Sequence, residues 1–127
     1  MLRIFETKYF YKWAEAHNIE DNSLVKAIDE LCYGNTDGDL GGFLHKKRVA
    51  RQGQGKSKGY RTIIALKIDE KAFFVYGFAK NDLGNIDTKT LKAFKQLAKD
   101  FMSMNNTQIE LALSNKELFE VDNHGKK

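Results

Sequence analysis

Two apolar runs separated by a short polar break constrain the fold of this chain more than any other feature. Tyr60–Lys67 and residues 71–80 are both rich in β-branched and aromatic side chains, and Asp69-Glu70 stands between them. Such side chains pack well on a pleated surface, so the runs predict two strands joined by a tight turn. Their apolar content is nearly continuous, which marks the centre of a sheet covered on at least one face.

The remaining elements arrange themselves around that pair. Residues 2–5 form a short first strand, and Phe5, Tyr9, Trp13 and Ala16 recur at helical spacing. Asp21, Asn22 or Ser23 can cap a second helix whose stripe is Leu24, Ala27, Ile28 and Leu31, with Gly34 as its stop. Residues 35–42, rich in Gly, Asp and Asn, predict a loop, and residues 43–50 a strand. Residues 51–59 hold three glycines and no apolar side chain, as a mobile exposed connection does. Residues 81–85 turn the chain. Asp87 or Thr88 then caps a long helix lined by Leu91, Phe94, Leu97, Ala98 and Phe101. A short helix at 107–114 and an edge strand at 118–121 complete the order. The expected class is α+β, a mostly antiparallel sheet packed with two N-terminal helices and a C-terminal helix. One domain is expected over residues 1–127, with a core of about 1–105 and an extension at 106–127.

Charge is distributed unevenly. The net charge is +4, yet no acidic residue occurs between Asp39 and Asp69, a window holding Lys46, Lys47, Arg48, Arg51, Lys56, Lys58, Arg61 and Lys67. Outside it the chain carries 13 basic and 17 acidic side chains. A positive field concentrated in this way suits a polyanion, because neutralising phosphates releases counterions and speeds encounter. Cys32 is the sole cysteine, which excludes an internal disulfide and a cysteine-based metal site. No run of apolar residues is long enough to span a membrane, and the first residues lack the features of a signal peptide. A cytoplasmic location without membrane association is expected.

Several enzyme classes fall away. Gly53-Gln-Gly55-Lys-Ser-Lys-Gly59 lacks the spacing of a nucleotide-binding loop. His17, His45 and His124 are scattered, without metal-ligand spacing, and the basic window lacks the clustered acids that a metal-dependent nuclease needs. No cofactor is expected. What remains is a set of cations on strands. Alternation puts Lys46 and Arg48 on one face and Lys47 and Val49 on the other; Arg61 opens the next strand and Lys80 closes the one after it. Strands lie about 4.8 Å apart, so these positions can converge on one phosphodiester. Cleavage of RNA by its own 2′-hydroxyl needs a base, stabilisation of a charged phosphorane, and a proton for the leaving oxygen. Arginine supplies the stabilisation, and a lysine crowded by other cations gives up its proton more readily and can serve as base. Lys46, Arg48, Arg61 and Lys80 are the candidate catalytic set. Lys47, Arg51, Lys56, Lys58, Tyr60 and Asn81 are the candidate RNA contacts, although Lys47, Lys58 and Lys67 taken singly read as solvated strand-edge charges.

The string Gly41-Gly-Phe-Leu-His-Lys-Lys-Arg-Val-Ala-Arg-Gln-Gly-Gln-Gly-Lys-Ser-Lys-Gly-Tyr-Arg-Thr62, followed by Phe73-Phe-Val-Tyr-Gly-Phe-Ala-Lys-Asn81, resembles the RelE/ParE toxin superfamily, and within it the HigB-like branch. The resemblance covers about residues 1–105. It implies a microbial-RNase-like fold and an mRNA endoribonuclease acting at the ribosomal A site. It also implies a cognate antitoxin of the helix-turn-helix type, with the ribosome and mRNA as further partners. Carried over by resemblance, Lys46 and Arg48 are a base and a phosphate contact, Arg61 is the transition-state stabiliser, and Lys80 and Asn81 end the following strand. Asn81 replaces a family arginine, and Asp87 lies near the place of a family tyrosine. The general acid is therefore unassigned, with His45, Tyr60 and Tyr76 as substitutes. Two other functions fit the same chain: a ParE-like toxin that inhibits gyrase without nuclease activity, and a non-catalytic RNA-binding module.

Overall fold

A computed structural model describes residues 2–50, 59–79 and 87–122. In chain order the elements are β1 (Arg3–Thr7), α1 (Lys8–Ala16), α2 (Asp21–Cys32), β2 (Gly38–Gly41), β3 (Leu44–Val49), β4 (Tyr60–Lys67), β5 (Lys71–Phe78), α3 (Thr88–Met102), α4 (Asn106–Ser114) and β6 (Leu118–Glu120). The strands form one sheet in the order β2-β3-β4-β5-β1-β6. β1 runs parallel to β5, and the other pairings are antiparallel. The α+β expectation holds, with the 60–67 and 71–78 strands at the centre.

Each face of the sheet has its own core. On one, α1 and α2 bury Phe10, Ala14, Leu24, Ala27, Ile28 and Leu31 against Ile4, Ile64, Ala72 and Phe74. On the other, α3 and α4 lie over Phe5, Leu44, Ile63, Ala65 and Phe73, with Phe101 stacked on Phe73 at 4.4 Å. This two-sided burial explains why the central strands read as continuous apolar runs.

Local chemistry sets the helix ends. The Thr7 hydroxyl caps α1 by accepting from the Phe10 N–H at 3.1 Å, and it also donates to the Val75 carbonyl at 3.3 Å. Gly34 ends α2 at φ +89°, where the Asn35 and Gly34 N–H groups close back on the Glu30 and Leu31 carbonyls. Asp87 caps α3 through Thr90, and Asn105 with Gln108 forms a capping box on α4.

Three expectations need correction. Phe5 belongs to β1 and not to the first helix, so the buried face of α1 is Phe10 and Ala14, while Tyr9 and Ala16 are exposed. α2 has Glu20 at its N-cap with no side-chain cap, and Asp21 lies in its first turn. Residues 38–41, expected as loop, form the edge strand β2, with an irregularity between Asp39 and Gly41. The expected connections at 51–58 and 81–85 lie outside the described residues, apart from Gly59.

The C-terminal elements complete the sheet beside β1. Arg3 holds Glu120 with two bonds of 2.9 Å and Glu110 with one of 3.0 Å, tying β1 to β6 and α4. Lys71 donates to the Met104 carbonyl at 2.7 Å and so fixes the α3–α4 junction to the start of β5.

One buried group in this frame works against stability. Glu6 is buried on the α1–α2 side of β1. Burial, with the carboxylates of Asp21 and Glu15 nearby, pushes its carboxyl up to about 7. Both folded and unfolded states hold this proton below about pH 4; between the ordinary carboxylate range and pH 7 only the folded state does, so stability falls as pH rises through that window. Glu6→Gln is expected to stabilise the protein by about 1–3 kcal/mol at pH 8 and by nothing measurable at pH 4. Urea titrations at the two pH values measure this, and an equal change at both would contradict it.

Candidate active site

β3 ends, β4 begins and β5 ends at the same edge of the sheet, as their antiparallel registers require. On the α3 side of that edge, β3 presents Lys46 and Arg48, whose opposite neighbours on β4 are Ile63 and Arg61. Arg48 and Arg61 are therefore directly paired across the strands. Two like charges in such a pair repel unless something negative lies between or beside them.

Arg48 has such a neighbour. Asp37, just before β2, accepts the Arg48 backbone N–H at 2.8 Å, and its carboxylate lies 3.3 Å from Arg48 Nε. The side chain remains 41% exposed, so this partner positions the guanidinium without covering it. Among the described residues Arg61 has no such partner. Its Nη1 is buried and makes no hydrogen bond among the described residues. A buried guanidinium donor left unmade costs on the order of 1–3 kcal/mol or more, and an orphan of this kind points to a ligand that completes it.

A β-bulge shapes the rest of this face. Ile63 pairs with Tyr76 and Ile64 with Phe74, so Val75 is an extra residue in β5. The bulge reverses the alternation beyond it. Tyr76 and Phe78 consequently share the face of Arg61, with Phe78 directly opposite it, while Gly77 turns to the other face. There the Trp13 ring lies so close that a Cβ on Gly77 would sit 2.3 Å from it, so only glycine fits.

The expected site residues divide accordingly. Lys46, Arg48 and Arg61 come together on one face. Lys47 points the other way, as alternation predicts, and it is a buried charge where a solvated one was expected. It is 1% exposed, with its ammonium 3.0 Å from Glu30 and 3.9 Å from Asp37, and it donates to the Asn35 carbonyl at 2.9 Å. Tyr60 is also buried on that opposite face, edge-on to Trp13 and His17 at 5.2 and 5.0 Å. Both side chains are buried on the face away from Arg61. Lys80, Asn81, Arg51, Lys56 and Lys58 lie outside the described residues.

Of the three substitutes for a general acid, only Tyr76 shares the face of Arg61. Tyr60 faces away. His45 also faces away, farther along β3, with Nδ1 3.2 Å from the Thr36 hydroxyl; desolvation lowers its pKa, partly offset by Asp39. His17 closes α1 with Nδ1 2.8 Å from the Trp13 carbonyl, on the side away from Arg61. Among the described residues no group of three or more His, Cys, Asp or Glu side chains could hold a metal ion, and no helix is long and apolar enough to cross a membrane.

Fold and site together define a class: a small α+β protein with helices on both faces of a mostly antiparallel sheet, gathering guanidinium and ammonium groups at one sheet end. The sequence matches the family described as the RelE toxin of the RelE / RelB toxin-antitoxin system over residues 2–121, and the chain belongs to that family. It is thus the toxin half of a toxin–antitoxin pair, with a cognate antitoxin as its partner. The match extends past residue 105 to take in α4 and β6. No curated protein matches the chain.

Proposed function

We propose that this toxin is an mRNA endoribonuclease that cuts translated messages on the ribosome, by attack of a 2′-hydroxyl on the adjacent phosphate and without a metal ion. The observation that carries this reading is the unmade donor of Arg61, buried opposite Arg48. An in-line attack produces a phosphorane with extra negative charge on its equatorial oxygens. A donor already in place, with no acceptor to give up among the described residues, stabilises that charge without reorganisation.

In the proposed roles, Arg61 and Arg48 hold the phosphate, and Lys46, diagonal to Arg61 on the same face, takes the proton from the 2′-hydroxyl. Tyr76 is the described group best placed to protonate the departing 5′-oxygen. The products are a 2′,3′-cyclic phosphate and a 5′-hydroxyl. Lys80, Arg51, Lys56, Lys58 and Asn81 are proposed to extend the contacts to RNA. The ribosome positions the message, and such positioning supplies a large part of the rate. The protein is proposed to act in the cytoplasm, as a HigB-like member whose antitoxin, of the helix-turn-helix type, covers or distorts this sheet end.

Inducible expression in a bacterial host, with message ends mapped by primer extension, tests the proposal. Codon-phased cuts confined to translated messages are expected, with cyclic-phosphate ends. Growth arrest without such cuts would overturn it in favour of a gyrase-directed toxin.

A further inference from the structure

The face that carries Arg61 also carries an aromatic stack whose outer ring, Tyr9, has no part in the proposed cleavage steps. Tyr9, at the start of α1, lies flat on Tyr76, with ring centroids 5.2 Å apart and planes within 5° of parallel. Tyr76 is backed in turn by Phe94 of α3 at 5.4 Å and Phe78 at 6.0 Å. One side of the Tyr9 ring is therefore covered by protein. The residue is nevertheless 53% exposed, so the other side is open.

Tyr9 is also held in place. Thr7 ties the first turn of α1 to the bulge at Val75, and the bulge aims Tyr76 at the Arg61 face. Tyr76 is the diagonal cross-strand neighbour of Arg61, a separation of about 7–8 Å between backbones. A flat, rigid ring with one open side, reached from the guanidinium of Arg61 across Tyr76, matches a base and a phosphate of one strand. Every base has a π face, and stacking on tyrosine is strong and tolerant of sequence. A protein partner would also find an exposed tyrosine, but it would not explain the neighbouring cations Arg61, Arg48 and Lys46.

We infer that Tyr9, backed by Tyr76, is the platform on which a base of the substrate strand stacks while the adjoining phosphate lies at Arg61. The inference rests on the ribonuclease reading of the site and names the part of the substrate the site grips. Stacking would splay the strand and help bring a 2′-hydroxyl into line with the phosphate.

The test uses ribosomes programmed with a message whose vacant codon has each nucleotide, in turn, made abasic. Single-turnover cleavage is followed for the wild type, Tyr9→Ala, Tyr9→Phe and Arg61→Ala. At one position, loss of the base should slow the wild type roughly ten-fold. Tyr9→Ala should be slowed by a similar factor on the intact message and by nothing further on that abasic one. Tyr9→Phe should pay the same cost of base removal as the wild type, because the ring is what stacks. A general structural defect in Tyr9→Ala would slow all messages and leave the cost of base removal intact. If base removal costs the wild type and Tyr9→Ala alike at every position, the platform is overturned while the nuclease reading stands. If the wild type cuts no message, or Arg61→Ala cuts like wild type, the reading of the site falls, and the platform falls with it.

Discussion

Arg61→Ala is expected to reduce message cleavage by about 10²–10³-fold, the usual cost of removing one preorganised donor from a charged transition state. Its stability should change little. The wild-type protein already bears the cost of a buried Nη1 with no acceptor among the described residues, and truncation removes that cost together with the packing of the side-chain stem. Loss of function with retained stability is what a side chain kept for chemistry predicts. Arg61→Lys should recover little, since an ammonium on a flexible stem cannot reproduce a planar fork. Cleavage of reporter messages and urea titrations on the same preparations would check both halves. A variant that cut at the wild-type rate would remove Arg61 from the site.

Lys47→Ala should abolish toxicity by a different route. The substitution removes the ammonium from a buried group, leaving Glu30 and Asp37 facing each other beside the Asn35 carbonyl. Breaking a buried pair by deleting one partner costs about 3 kcal/mol, which for a chain of this size lowers Tm by roughly 10 °C. Lys47→Met combined with Glu30→Gln should recover most of that loss, because replacing both charges leaves no uncompensated ion. A thermal melt separates this from an RNA-contact role. If Lys47→Ala melts like wild type but fails to bind RNA, Lys47 is a ligand contact and not a structural ion.

The contrast between Arg61 and Lys47 shows how far the sequence can be read. Alternation along β3 separates Lys46 and Arg48 from Lys47 without any coordinates, and the apolar runs locate the two central strands. The partner of Lys47 is invisible in the sequence, because Glu30 lies on a helix that meets β3 only after folding. The acid-free window is acid-free only along the chain: Asp37, from just before it, reaches Arg48 and Lys47. The phase of α1 misleads because Phe5 fits a helical spacing with Tyr9, yet pairing with β5 and β6 holds it in a strand. β2 escapes a sequence reading because its Gly-Asp-Leu-Gly carries turn chemistry, and pairing with β3 overrides it. Among the site residues, Tyr9 and Tyr76 come together only through the Val75 bulge, a one-residue insertion that leaves no mark in the sequence.

The sheet edge formed by β6 has a consequence for when the toxin can become dangerous. β1 is made first, but its two neighbours in the sheet are β5, beginning at Lys71, and β6, ending at Glu120. At synthesis rates of about 5–20 residues per second, the first strand waits roughly 5–25 seconds for the last. During that interval Ile4 lacks Val121 in its core, and Arg3 lacks both of its glutamates. The sheet beside β1 is therefore complete only once β6 has been made, an interval in which a newborn toxin can be met by its antidote.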